Sequence, residues 1–232
     1  MERGDGGLEV DLLVTHTHWD HIQGFPFFTP MFAEGNALRI WGSKQGDVDL
    51  EVVLQQQMHP VVFPVPLEES AAELHVEHVG EGSFGVEGFS VAAMRLRHPG
   101  NTLGYKLTPT GGGATLAYIM DNELGPGGDY DVGVNWRAEL VEFIAGVDLM
   151  IHDAMYTPDD IEQHRGWGHS SYSEAVTLAA EARVKQLMLF HHRPERDDAG
   201  MDLLVEAARG EANRSGHEFE VSAAVEGMEL TL

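Results

Sequence analysis

Four times along this chain an apolar run stops abruptly at ionisable residues. LEVDLLVT leads into HTHWDH at residues 16–21, ATLAYIM into Asp121, VDLMI into His152 and Asp153, and QLMLF into His191 and His192. Short apolar runs bounded by turn formers read as buried strands. LRIWGS, AELHVEHV, FSVAAMRLRH and LGYKLTP supply further strands, with TGGG as the hairpin turn before ATLAYIMD, and EFEVSAAV and MELTL close the chain. Between them DVDLEVVLQQQMH, NWRAELVEFIAGV, SYSEAVTLAAEARV and MDLLVEAARGEAN read as helices, with Asp47 the N-cap of the first and Ser171 with Glu174 a capping box for the third. Strands alternating with helices give an α/β fold, and in such folds sites assemble outside the carboxyl ends of the strands, where these ionisable residues fall.

Length and composition narrow the reading. A chain of 232 residues, 43% hydrophobic, can bury a sizeable core, and one compact domain over 1–232 is the expectation. Fourteen Lys and Arg against 38 Asp and Glu give a formal charge of −24, which argues against a broad surface for large nucleic acids. An anionic substrate must then be drawn by local positive charge such as a metal. With no cysteine, thiolate ligands and disulfides are excluded. No run of about 18 apolar residues exists to span a membrane, and MERGDGG does not read as a signal peptide, so no membrane partner and a cytoplasmic location are expected.

The densest of the four clusters carries the chemistry. His16 and His18, two apart at the end of an extended segment, project from one face and can bind one metal, while Asp20 and His21 offer an oxygen and a nitrogen to a second. Two metals about 3.5–4 Å apart can share a hydroxide ionised near neutral pH and clamp both oxygens of a displacement. One or two such residues would merely cap a strand and a helix; four in six positions point to metal.

HTHWDH, with the apolar strand before it, resembles the signature of the metallo-β-lactamase superfamily, and RLRHPGNTLGY, AYIMDNE and LMLFHHRPE follow in the family's order over essentially the whole chain. The resemblance implies the four-layer αβ/βα sandwich. It implies His16, His18 and His98 on one ion, Asp20, His21 and His191 on the other, and Asp121 bridging them. His191 is preferred over His192 because the family's ligand directly follows the apolar strand. Zinc is the expected ion for these N and O donors, with manganese or iron as alternatives.

IHDAMYTP and GWGHSSYSEA resemble paired motifs of the phosphodiesterase branch, best known from the tRNA 3′-end processing endonucleases. By that resemblance His169 is general acid or stabiliser of the phosphorane, oriented by Asp153, and Asp20 joins them in the catalytic set. A histidine poised to protonate a departing alkoxide lowers the cost of its departure. The implied activity is hydrolysis of a small phosphodiester, such as a cyclic nucleotide, by a metal-bridging hydroxide. Two alternatives stand beside it: a lactone, ester, thioester or β-lactam hydrolase on the same fold, and a non-catalytic metal-binding scaffold. FPFFTPMF would line a ring-binding wall or belong to the core; His59, His75, His78, His164 and His217 have structural readings, His164 with Arg165 and Trp167 lying nearest the site in sequence. By comparison with the family roughly 60 residues of N-terminal strands would be absent, which leaves three expectations: a start truncated from a longer protein, a homodimer covering the shortened sheet, or a compromised fold.

Overall fold

The computed structural model describes residues 7–232. Contacts group the chain into two compact units, one ending at Gly80 and one starting at Glu81.

The first unit is built on three parallel strands in the order β1-β2-β3: β1 Glu9–Leu13, β2 Ala37–Gly42 and β3 Glu73–His78. Alternation decides its faces. Leu38 and Ile40 of β2 are buried in a cluster with Phe25, Met31 and with Leu50 and Leu54 of helix α2 (Leu50–Gln57; α1 is the four-residue Trp19–Ile22). On the opposite pleat Arg39 donates from Nε and Nη2 to the two carboxylate oxygens of Asp11 at 2.9 and 3.2 Å, and Trp41 Nε1 donates to Asp11 Oδ1 at 2.8 Å. Asp11 and Arg39 are register partners, so the bidentate pair fixes how β1 hands the chain to the histidine loop. The cap of α2 is Asp49, not Asp47. Reciprocal backbone bonds between Gln45 and Val48 close a tight turn that holds Asp47 outside the helix.

In the second unit seven strands run in the order β10-β9-β8-β7-β6-β5-β4. They are β4 Gly82–Val86, β5 Phe89–Arg95, β6 Leu103–Pro109, β7 Leu116–Ile119, β8 Leu149–Asp153, β9 Gln186–Phe190 and β10 Glu220–Ala223. Strands β4 to β7 are antiparallel neighbours, and β7 to β10 are parallel. Helices α3 (Trp136–Phe143), α5 (Tyr172–Ala182) and α6 (Asp198–Ala212) contribute Leu140, Val176, Leu178 and Leu204 to a core shared with Ile119, Met150, Leu187 and Leu189 of the sheet; α4 is the short Pro158–Ile161. The capping box of Ser171 and Glu174 opens α5 as expected.

Two strand readings need correction. β4 was missed: GSFGV holds two glycines and little apolar signal, and it is a strand because a turn at Gly88, with φ 77°, folds it onto β5. MELTL forms no strand; Met228, Leu230 and Leu232 all remain exposed, so extension there would bury nothing.

The parallel portion positions the chemistry. Its register pairs Ile119 with His152 and Asp153 with Phe190, so the residues that end β7, β8 and β9 emerge side by side on one sheet edge. Among the described residues no helix is long and apolar enough to cross a membrane.

Candidate active site

The candidate ligands fall into two groups, one in each unit. In the first, β1 ends at Leu13 and His16, His18 and His21 follow on the loop and on α1. The His16 ring lies 4.6 Å from that of His18 and 4.3 Å from that of His21, and His21 Nε2 is 3.4 Å from Asp20 Oδ2. His16 is buried, whereas His18 and Asp20 are exposed. Two imidazoles packed against that of His16, with a carboxylate alongside, make an N/O donor set. Nearby, FPFFTPMF divides between the two readings offered for it. Phe25 and Met31 enter the core, while Phe27 is largely exposed and packs perpendicular to Phe63.

In the second unit the convergence is tighter. Asp121 directly follows Met120 at the end of β7 and is buried. Its Oδ2 lies 3.3 Å from His98 Nε2, and its Oδ1 lies 3.4 Å from His191 Nε2. One carboxylate thus turns a different oxygen toward each of two imidazoles. His98 Nδ1–H donates to the Gly168 carbonyl at 2.8 Å, which makes Nε2 the nitrogen that carries the lone pair. A lone pair aimed at a carboxylate oxygen suits a cation between them, so the residues present fit a divalent metal.

His191 reaches this place by a bend. Its φ is +55°, so β9 ends at Phe190 and the chain turns there. His192 goes the other way and donates Nε2–H to the Ala224 carbonyl at 3.1 Å, while burial holds its pKa below the usual histidine value. Backbone handedness at His191 separates the two neighbouring side chains.

His169 and Asp153 are in direct contact. His169 Nδ1–H donates to Asp153 Oδ2 at 2.6 Å. Asp153 is fully buried, and its Oδ1 accepts from the Met155 backbone at 3.0 Å, so the carboxylate cannot rotate freely. The His169 ring stacks on His191 at 4.9 Å with an interplanar angle of 11° and meets His98 at 5.1 Å. Ligand-type atoms of Asp121, Asp153, His169 and His191 all lie within 4.8 Å of one another. His152, also buried, donates Nδ1–H to the Asp153 carbonyl and takes a bond from Asn122; burial depresses its pKa and keeps it neutral.

Sequence reasoning passed over the residue that holds this arrangement. Glu123, two positions after Asp121, is fully buried, and its carboxylate accepts from Gly166 N–H at 2.9 and 3.0 Å and from Gly168 N–H at 3.1 Å. Tyr130 O–H donates to the same carboxylate, and burial together with that bond raises the phenol's pKa. Gly168 has φ +86°, and a Cβ there would stand 2.2 Å from His98 Nδ1, so only glycine lets its carbonyl approach that ring. Arg97 ties the rim by donating to the Gly125 and Gly127 carbonyls at 2.9 Å each. The available signal was an acid beside Asp121 in AYIMDNE, paired with glycines spaced two apart in GWGH.

Comparisons with known proteins agree with this geometry. The beta-lactamase superfamily domain matches residues 8–192. Ribonuclease Z of Halalkalibacterium halodurans is 27% identical over 250 aligned positions, covering 90% of this chain and 79% of that protein. The metallo-β-lactamase-fold protein YhfI of Bacillus subtilis shares the fold with a TM-score of 0.63 at 20% identity, over 94% of this chain and 76% of its own. Unliganded yeast PDE1 does so with a TM-score of 0.66 at 16% identity, over 94% and 67%. The chain belongs to the beta-lactamase superfamily, as a metal-dependent hydrolase on the metallo-β-lactamase fold that groups with its phosphodiesterase-type branch.

Proposed function

We propose that the protein is a binuclear metal-dependent phosphodiesterase acting on a small phosphodiester, such as a cyclic nucleotide or short oligonucleotide. The observation that carries this reading is the 2.6 Å pair of Asp153 and His169 set against the Asp121 carboxylate. Such a pair supplies an oriented proton donor beside a candidate metal ligand, and metal-assisted phosphodiester cleavage uses both. In this reading His16, His18 and His98 would hold one ion, Asp20, His21 and His191 the other, and Asp121 would serve both. Zinc is the ion we assign. When bound, two divalent cations would supply Lewis acidity and a nucleophile usable at neutral pH.

The chain's own residues do the rest. Asp153 takes the His169 Nδ1–H and favours the imidazolium form, in which Nε2 also carries a proton and can pass it to the leaving oxygen. Glu123 holds Gly166 and Gly168, and through them the backbone that enters His169. The formal charge of −24 favours a small diester over a long polyanion. A second reading has one specific support: the similarity to ribonuclease Z favours an RNA substrate.

The test is turnover of bis(p-nitrophenyl) phosphate, a cyclic nucleotide and a structured RNA by one preparation of measured metal content. Activity on the small diesters should disappear with chelator and return with Zn²⁺ or Mn²⁺. Full turnover after complete metal removal would sink the proposal, and cleavage of the RNA alone would favour the second reading.

A further inference from the structure

Aromatic rings run in file from the buried site to solvent. His191 stacks on His169; Tyr156 stands 6.3 Å from His169; Tyr156 stacks on His164 at 4.4 Å and 16°; and His164 meets Trp167 at 5.0 Å, nearly perpendicular. The file ends in an indole that is 61% exposed. Its exposure does not come from a loose loop. The residues on either side, Gly166 and Gly168, are both bonded through their backbone N–H to the buried Glu123 carboxylate. His164 in turn is fixed by Nδ1–H donation to the Asp160 carbonyl at 2.8 Å. A large flat ring is thus held in place, with one face open to solvent, two residues along the chain from the proton donor.

We infer that Trp167 is a stacking platform for the base of a nucleoside phosphodiester whose phosphate lies at His169. The inference rests on the phosphodiesterase reading for what the ring belongs to. The Cα atoms of Trp167 and His169 are about 7 Å apart at most, which puts both side chains within reach of a single nucleotide. Charge points the same way. With 38 acidic against 14 basic residues the chain has few cations with which to grip a backbone, and stacking supplies affinity without them.

The metal-loaded protein is titrated with AMP and with ribose 5-phosphate, which differ only in the base. Stacking at about 1–3 kcal/mol per base predicts AMP binding roughly 5- to 150-fold more tightly. Trp167→Ala should bind the two alike, and Trp167→Phe should keep part of the preference. Equal binding by the unaltered protein, or a preference that survives Trp167→Ala, overturns the inference. With a dinucleoside monophosphate as substrate, Trp167→Ala should raise KM; a fall confined to kcat would mean that Trp167 props the loop instead, and also overturns it. If no diester is turned over at all, the phosphodiesterase reading fails, and the AMP titration still decides the stacking claim.

Discussion

Replacing Glu123 with Gln tests whether the loop that presents His169 is held by a buried carboxylate. The side chain keeps its shape, but one of two acceptor oxygens becomes an NH₂ facing donors. Three donors converge on the native group: the Gly166 and Gly168 N–H groups and the Tyr130 hydroxyl. The Tyr130 hydroxyl can rotate to accept, whereas the two backbone N–H groups cannot. With its amide oxygen at the Oε2 position Gln still meets all three donors, but it loses the negative charge and the Gly166 bond to Oε1 and sets its NH₂ against that N–H at a fully buried site, a cost of about 1–3 kcal/mol. For a protein of this size that lowers Tm by roughly 2–4 °C per kcal/mol, so a fall of about 4–8 °C is the central expectation. Glu123→Ala strands all three donors and should cost about 3–5 kcal/mol, in line with losing one partner of a buried charged network. Tyr130→Phe leaves both glycine anchors in place and should cost only about 1 kcal/mol. Thermal melts give the stabilities; metal analysis and diesterase kcat, measured below each variant's melting range, give the positioning effect. Glu123→Gln should retain bound metal and lose kcat, while Tyr130→Phe should lose little of either. A Glu123→Gln protein with native Tm and native kcat would refute the reasoning, since the loop would then need no such anchor.

Further outcomes follow from the same geometry. His169→Ala should keep its metal content by elemental analysis yet lose about 10²- to 10⁴-fold in kcat, and unchanged turnover would remove it from the mechanism. Gly168→Ala must move either the His98 ring or the loop, because its Cβ would lie 2.2 Å from His98 Nδ1; weaker metal retention in a competition assay is expected, and native affinity would contradict the close approach. Asp148 accepts from Lys185 Nζ at 2.5 Å and from Thr115 N and Oγ1, which holds its pKa at about 2, below the ordinary 3.8. A depressed carboxylate contributes stability above its unfolded pKa and loses it as pH falls toward the folded value. Asp148→Asn should therefore cost about 1–2 kcal/mol in denaturant melts at pH 6, allowing for partial exposure, and close to nothing at pH 2; a cost independent of pH would refute the assignment.

The sequence disclosed the parts of this fold that depend on local pattern. Buried strands such as VDLMIHDA declare themselves by composition, and the Ser171 capping box by a three-residue spacing, because each is stabilised within a few residues of chain. β4 stayed hidden because its strand character is lent by β5 across a turn. Asp47 reads as the cap where Asp49 serves, because the Gln45–Val48 turn that excludes Asp47 leaves no mark in composition. Histidines and acids of the site were legible by type and by position at strand ends. Glu123 was not, since a carboxylate that binds backbone N–H groups more than forty residues away carries no spacing that the chain itself reveals.

Backbone handedness links these points. Among the described residues three that are not glycine have positive φ: Asp121, Arg183 and His191. Arg183 ends α5, where a left-handed residue is ordinary. The other two end β7 and β9, and both point into the same cluster. A left-handed residue costs roughly 1–2 kcal/mol, less for Asp and His than for β-branched residues, whose side chains fit that region worst. Glycine would adopt it freely but offers no donor atom. The choice of Asp and His at these two turns is thus a compromise between conformational ease and the need for an oxygen and a nitrogen at the edge of a parallel sheet. Extension continued from β9 would carry His191 along the strand line, so the turn itself, and not the run of apolar residues before it, is what makes the end of that strand a site.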